Sequence, residues 1–318
     1  MSSGDVRVIT ELTTAILQGD LARFESELSR LPSLNEVVST RLDAIPEGGG
    51  LGRGVTLLQL ASRRSTSHVI AERLLALGAE LDVHSACGLG RLDWLRERLA
   101  SEPGLLNEEV DTYRPLQLAI PEQPEILRLL LEHGDDVERP LTKVDWFAWE
   151  DEAVRRGLAS WRLVHQLALH GYSTRSTSCL DVLAEHGADL NAVSPLHGRR
   201  PLHLAAMADM SAMVACLVGH GVDVDVTTEV SNDSIDWSTI PNGPGVASDA
   251  VTALMVAAEE GHRPTVEALL DLGADVAKRS SDGLTALDLA LAGRWPERAE
   301  AYADIAELLR ERSGGSAS

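Results

Sequence analysis

Two landmarks recur along this chain at a nearly constant separation, and they exclude most folds before composition is considered. The first is a short run, clearest as Arg200-Pro201-Leu202-His203-Leu204-Ala205-Ala206; the second is a glycine, here Gly221, nineteen residues after Leu202. Thr252–Ala258 leads in the same way to Gly273, Thr56–Ala61 to Gly78, Arg114–Ala119 to Gly134, and Arg162–His165 to Gly187. Thr285–Ala290 opens a last copy, and Thr252 to Thr285 is 33 residues. A period of this size marks units that cannot bury an apolar face alone and must stack on their neighbours.

The residues inside each copy describe two helices. A threonine at the start of the run can cap free N–H groups, and Pro115 and Pro201 suit the first helical position. Apolar residues three, four and seven positions before the glycine form one helical stripe: Leu75, Leu74 and Ala71; Leu131, Leu130 and Leu127; Leu270, Leu269 and Val266. The glycine then ends the helix where a left-handed residue is needed. Small residues such as Ala205 and Ala206 allow close stacking, so a chain with only 3% aromatic residues can still build a core.

The run resembles the T-P-L-H-x-A signature of the ankyrin repeat, a unit of about 33 residues. The resemblance implies an all-α ankyrin-repeat solenoid of about eight helix-turn-helix repeats, starting near residues 10, 56, 81, 114, 162, 200, 252 and 285. Leu81–Gly90 reads as a degenerate first helix and Thr10–Gly19 as a polar N-terminal cap. Residues 1–312 are expected to form a single domain, with 313–318 as a flexible tail.

Three intervals are too long. Thr10 to Thr56 is 46 residues, Arg114 to Arg162 is 48, and Arg200 to Thr252 is 52. In the family this connection is the finger, so inserts near 35–54, 141–160 and 229–249 are expected as three enlarged finger loops on one edge, where binding faces commonly lie. Four of the eleven aromatics, Trp146, Phe147, Trp149 and Trp161, lie in 16 residues that run through the second insert to just past its end, and the third insert carries Asp236-Trp237. Trp beside acidic groups is the composition of a binding surface.

Charge narrows the partners. With 49 acidic and 28 basic residues the net charge is −21. Such a chain repels phosphate backbones and anionic lipid, so no nucleic acid and no membrane is expected as a partner. Residues 102–152 alone hold 14 Asp/Glu against 4 Lys/Arg. That favours a partner with a basic surface and offers Trp for cation–π contact. No apolar run is long enough to span a membrane, and Met1–Ile9 lacks the basic-then-apolar pattern of a signal peptide, so a cytoplasmic protein is expected.

The repeat absorbs most residues that invite a chemical reading. His84, His165 and His203 read as the signature histidine that the resemblance makes structural, His133, His186 and His220 precede the landmark glycine, and His262 lies in the inter-helix turn. Cys87 and Cys216 occupy small or apolar positions, and Gly48–Gly54 lacks the lysine of a phosphate loop. No cofactor and no metal is therefore expected.

Two functions remain open. The resemblance implies a protein-interaction module that binds its partner through the concave groove and fingers, with Tyr113, Trp146, Phe147, Trp149, Trp161 and Trp237 as contact residues. The alternative is a small-molecule site or cofactor-independent enzyme closed by the fingers. Its candidate acid–base groups are Asp145, Glu150, Asp236, His165 and His203.

Overall fold

The helices come in antiparallel pairs, and the landmark glycine closes the second member. In the computed structural model the described residues are 3–30, 55–63, 65–107, 114–119, 122–141, 161–170, 175–194, 198–229 and 249–314. They fall into two compact units, one up to Asp136 and one from Val137 onward. Among them the structure is all-α, with an isolated bridge between Thr227 and Thr252. No described helix is long and apolar enough to cross a membrane.

The first unit contains α1 (Ser3–Gln18), α2 (Leu21–Leu28), α3 (Leu57–Ser62), α4 (His68–Ala76), α5 (Val83–Gly88), α6 (Leu92–Ser101), α7 (Pro115–Ala119) and α8 (Pro124–Glu132). The odd-numbered helices pack in a row, α1 on α3, α3 on α5 and α5 on α7, each with its even-numbered partner behind it. The second unit repeats the plan. It has α9 (Leu163–His170), α10 (Ser176–Glu185), α11 (Pro201–Met207), α12 (Ser211–Gly219), α13 (Ala253–Glu260), α14 (Arg263–Asp271), α15 (Ala286–Ala292) and α16 (Ala299–Gly314). There α9, α11, α13 and α15 form one layer and α10, α12, α14 and α16 the other.

The stripe before each glycine is the core of the second helices. Leu74, Leu130, Leu183, Leu217 and Leu269, each four residues before the glycine, are all fully buried. The glycine itself holds a φ of 94° at Gly78, 94° at Gly134, 82° at Gly187, 89° at Gly221 and 92° at Gly273. In each case the following amide reaches back to the carbonyl of that leucine, as Ala274 N–H does to Leu269 at 3.0 Å. This closes the helix in the left-handed manner the sequence requires.

Three sequence boundaries need correction. Helix α1 starts at Ser3 rather than near Thr10, and it is no polar cap: Leu12, Ala15 and Ile16 are buried and meet Phe24 of α2. In the third pair Asp82 is the N-cap, its carboxylate accepting from Ser85 N–H at 2.9 Å. That moves the frame one residue on, so Cys87 aligns with Ala205 and Gly88 with Ala206, and His84 is not the counterpart of His203. At the other end α16 extends to Gly314, through Ser313, its buried face running from Tyr302 through Ile305 and Ala306 to Leu309 and its last turn exposed.

The corrected frame explains Gly88. A β-carbon there would lie 2.3 Å from the Ser62 carbonyl oxygen of α3, a backbone atom that cannot rotate away. Gly88→Ala is therefore expected to lower the stability of the protein by about 1–3 kcal/mol through overpacking. The check is the denaturant midpoint; an unchanged midpoint would show that α3 and α5 do not approach so closely.

Candidate functional site

The first helices begin with a recurring hydrogen bond. The side chain at the third helical position accepts from the backbone N–H of the residue that precedes the helix. Gln59 does this for Thr56 at 2.9 Å, Gln117 for Arg114 at 3.1 Å, His165 for Arg162 at 2.9 Å, His203 for Arg200 at 3.2 Å and Asp288 for Thr285 at 2.8 Å. Where the cap residue is threonine its hydroxyl also accepts from the helix, giving capping boxes at Thr56 and Thr285.

Arginine has no acceptor and cannot cap in that way. It uses its guanidinium elsewhere. Buried Arg114 pairs with Asp135 at 2.9 Å and donates to the Asp136 carbonyl at 3.1 Å. Arg162 pairs with Glu138 at 2.8 Å and donates to its carbonyl at 2.7 Å. Arg200 donates to the carbonyls of Thr227 and Asn191 and pairs with Glu229. Each arginine thus ties the start of a first helix to neighbouring loops.

His165 and His203 have both ring nitrogens engaged. Nδ1 accepts the amide described above, which places the proton on Nε2. Nε2 donates to the Ala192 carbonyl in one case and the Val251 carbonyl in the other, both at 2.9 Å. Burial is the main force on both rings, and the arginines beside them act in the same direction. The pKa of His165 is lowered to about 4 and that of His203 to about 3. These are neutral framework groups, and as acid–base candidates they offer no free nitrogen. Trp161 is likewise interior, 3% exposed, with its ring edge-to-face on His165 at 5.4 Å. Its carbonyl accepts from Leu141 N–H at 2.8 Å. Aromatic crowding in the sequence suggested a contact residue; packing against the histidine explains its position instead.

Tyr113, Asp145, Trp146, Phe147, Trp149, Glu150, Asp236 and Trp237 lie outside the described residues, as do residues 31–54, 142–160 and 230–248 of the three inserts. Cys87 is fully buried, as its small repeat position requires, and desolvation, with Asp82 and Asp135 nearby, pushes its thiol far above the usual range, which keeps it protonated.

Sequence reasoning missed a polar cluster over the C-terminal end of α13. Between α13 and α14 the turn is only Gly261 and His262, whereas Gly293 to Arg298 separate α15 from α16. The longer segment folds across α13. Glu260 accepts from Arg294 at 2.8 Å and from the Trp295 indole N–H at 2.8 Å, while its carbonyl accepts from Arg298 at 2.6 Å. Tyr302 donates to the Glu259 carbonyl at 2.7 Å. Arg199 is buried alongside; desolvation pulls its pKa down and Glu259 and Glu260 hold it up. With the neighbouring helices packed on its other residues, all eight residues of α13 are buried. An apolar hollow of 260 Å³ opens beside this cluster, lined by Leu291, Trp295, Pro296 and Tyr302 among others. Leu291 is 58% exposed there. The signal available in the sequence was the lengthened turn carrying Trp295.

Among the described residues one group of His, Cys and acid side chains is compact enough to hold a metal ion: Asp181, Cys216 and His220.

The histidine geometry has a pH consequence. Both folded pKa values lie below the ordinary imidazole value of about 6.5, so unfolding takes up protons below that pH. The stability that the neutral rings provide is complete above pH 6.5 and is lost as pH falls toward 4 and 3. Gln59 and Gln117 show that glutamine serves the same position. A His165→Gln/His203→Gln variant is expected to fold and to lose less stability between pH 7 and pH 4, by about 3 kcal/mol per ring. Denaturant titrations at the two pH values measure this; an equally steep acid limb in the variant would contradict it.

Comparison with known proteins agrees with this frame. A family model described as "Ankyrin repeat" matches residues 197–229, and one described as "Ankyrin repeats (many copies)" matches residues 254–300. Similar curated proteins include "Ankyrin repeat and SOCS box protein 6" of Homo sapiens, 37% identical over 117 residues, 36% of this chain and 24% of that one. The Mus musculus protein of the same name is 34% identical over the same shares. "Nuclear factor NF-kappa-B p105 subunit" of Gallus gallus is 35% identical over 130 residues, 39% of this chain and 13% of that one. The chain thus spans about a quarter or less of the curated relatives it matches. With its N-cap bonds, left-handed glycines and paired helices, and with family matches from α11 to α15, the chain is an ankyrin repeat protein.

Proposed function

We propose that the chain is a protein-interaction module whose partner presents a basic surface. Ankyrin repeats are generally protein-interaction modules, and one observation supports reading this chain in the same way. The polar groups on its first helices hold the frame: His165 and His203 use both ring nitrogens internally, and Glu260 uses both carboxylate oxygens. Recognition then belongs to surfaces that the frame presents. In this reading there are about eight repeats, and the inserts near 35–54, 141–160 and 229–249 are enlarged fingers at one edge. Tyr113, Trp146, Phe147, Trp149 and Trp237 supply apolar contact, because large flat side chains dominate interface energetics. The acidic excess, −21 overall, steers a basic partner and rejects anionic ones. A small-molecule or catalytic reading would have to rely on Asp145, Glu150 and Asp236 without the two histidines.

The test uses affinity capture of a partner by the wild-type chain and by a Trp146→Ala/Trp237→Ala variant. The variant is expected to bind about tenfold or more weakly, as loss of interface hot spots implies, with unchanged helical circular dichroism. Binding by the wild type is expected to weaken as salt rises. Equal capture by both chains would remove the fingers from the interface.

A further inference from the structure

His220 breaks a pattern set by its counterparts. His133 and His186 also precede landmark glycines, and each sets its Nδ1 against the carbonyl four residues back, at 2.8 Å from Leu129 and 2.9 Å from Val182. His220 directs Nε2 across to α10, where it meets Asp181 Oδ1 at 2.8 Å. Cys216, four residues earlier and on the same helical face, donates its S–H to the same oxygen at 3.6 Å. The three ligand atoms lie within 4.8 Å of one another. The side chains of Asp181 and His220 are 51% and 32% exposed, so the group is open to solvent. Cys87 and Cys179 are buried, which leaves Cys216 as the accessible thiol of the three.

We propose that Asp181, Cys216 and His220 form a binding site for a divalent transition-metal ion of the zinc class, tying α10 to α12 across two consecutive helix pairs. The donor set is one sulfur, one imidazole nitrogen and one carboxylate oxygen, which suits Zn²⁺ and disfavours Mg²⁺ and Ca²⁺. Tetrahedral bonds of about 2.0–2.3 Å place such atoms about 3.2–3.6 Å apart. The sulfur–oxygen distance of 3.6 Å already matches, the imidazole–carboxylate distance of 2.8 Å has to open slightly, and the sulfur and imidazole nitrogen, within 4.8 Å of each other, come to tetrahedral spacing by side-chain rotation of Cys216 and His220. Three protein ligands leave the fourth position to water. Binding is balanced: the ion takes the thiolate, the S–H proton passes to solvent, the proton that His220 Nε2 holds toward Asp181 is given up to solvent while Nδ1 carries the ring's N–H, Nε2 ligates through its lone pair, and the thiolate and carboxylate neutralise the double charge. Desolvation and the Asp181 charge raise the free thiol's pKa to about 11, so it is the metal that draws the proton off. This replaces the expectation of no metal that the repeat register gave for the histidines.

The experiment titrates the chelator-treated 318-residue chain with Co²⁺ and then Zn²⁺, reading the sulfur-to-cobalt charge-transfer band and the visible bands of tetrahedral Co²⁺. One Co²⁺ per chain, displaced by Zn²⁺, is expected. Cys216→Ser is expected to abolish the charge-transfer band, and His220→Ala to weaken Zn²⁺ binding by about 100-fold or more. His186→Ala, at the equivalent position with its nitrogen on a carbonyl, is expected to bind Co²⁺ as the wild type does. Absence of the band in the wild type, or its survival in Cys216→Ser, would overturn the site and leave Asp181 and His220 as a plain ion pair.

Discussion

An amide at the mouth of each first helix has to find an acceptor, and much of this structure follows from how it does so. The first four N–H groups of any helix lack partners within it. Where that amide is buried or half-buried, as at Thr56, Arg114, Arg162 and Arg200, leaving it unmet would cost about 1–3 kcal/mol. Gln59, Gln117, His165, His203 and Asp288 all answer the same need from the third helical position. Histidine does more than the others, because its second nitrogen carries the bond onward to a loop carbonyl. In the case of His203 that carbonyl belongs to Val251, immediately before the next first helix. The bond that starts one helix therefore helps to position its successor.

Small side chains then allow the first helices to approach. Ala205, Ala206, Ala257, Ala258, Cys87 and Gly88 stand at matching positions, and the alanines and Cys87 are fully buried. Each pair gains most of its stability from its neighbours, which is how short helices persist in a chain with few aromatics. Phe24 fills the first pair, and Trp295 and Tyr302 cover the last. The C-terminal segment Gly293–Arg298 performs a similar service for α13, burying Glu259 and Glu260 under paired cations and an indole.

The frame was legible because its determinants are local. A threonine cap, a glycine forced to positive φ and a 3.6-residue stripe act within one copy, so pattern alone located the pairs around Gly78, Gly134, Gly187, Gly221 and Gly273. Where the determinant was not in the pattern, the reading slipped. Asp82 caps as well as threonine does, but it shifted the third copy by one residue. The first helix carries no T-P-L-H run, so its start at Ser3 was hidden. The cluster at Glu260 joins residues more than thirty positions apart, and no spacing rule reports such a meeting. Trp161 shows the opposite error, since its aromatic neighbours in sequence suggested a surface while His165 claims its ring. His220 shared a sequence position with His133 and His186, and only the distance to Asp181 set it apart.

The claim that a buried histidine at the third helical position holds the amide before α9 and α11 is open to direct measurement by native-state hydrogen exchange at Arg162 and Arg200. Their N–H groups donate to His165 and His203 and lie outside regular helical bonding. The account predicts protection close to that of the core amides of the same unit, falling when the histidine is replaced by alanine. Exchange in the wild type as fast as that of exposed loop amides would contradict it, because the side-chain acceptor would then not be holding the frame.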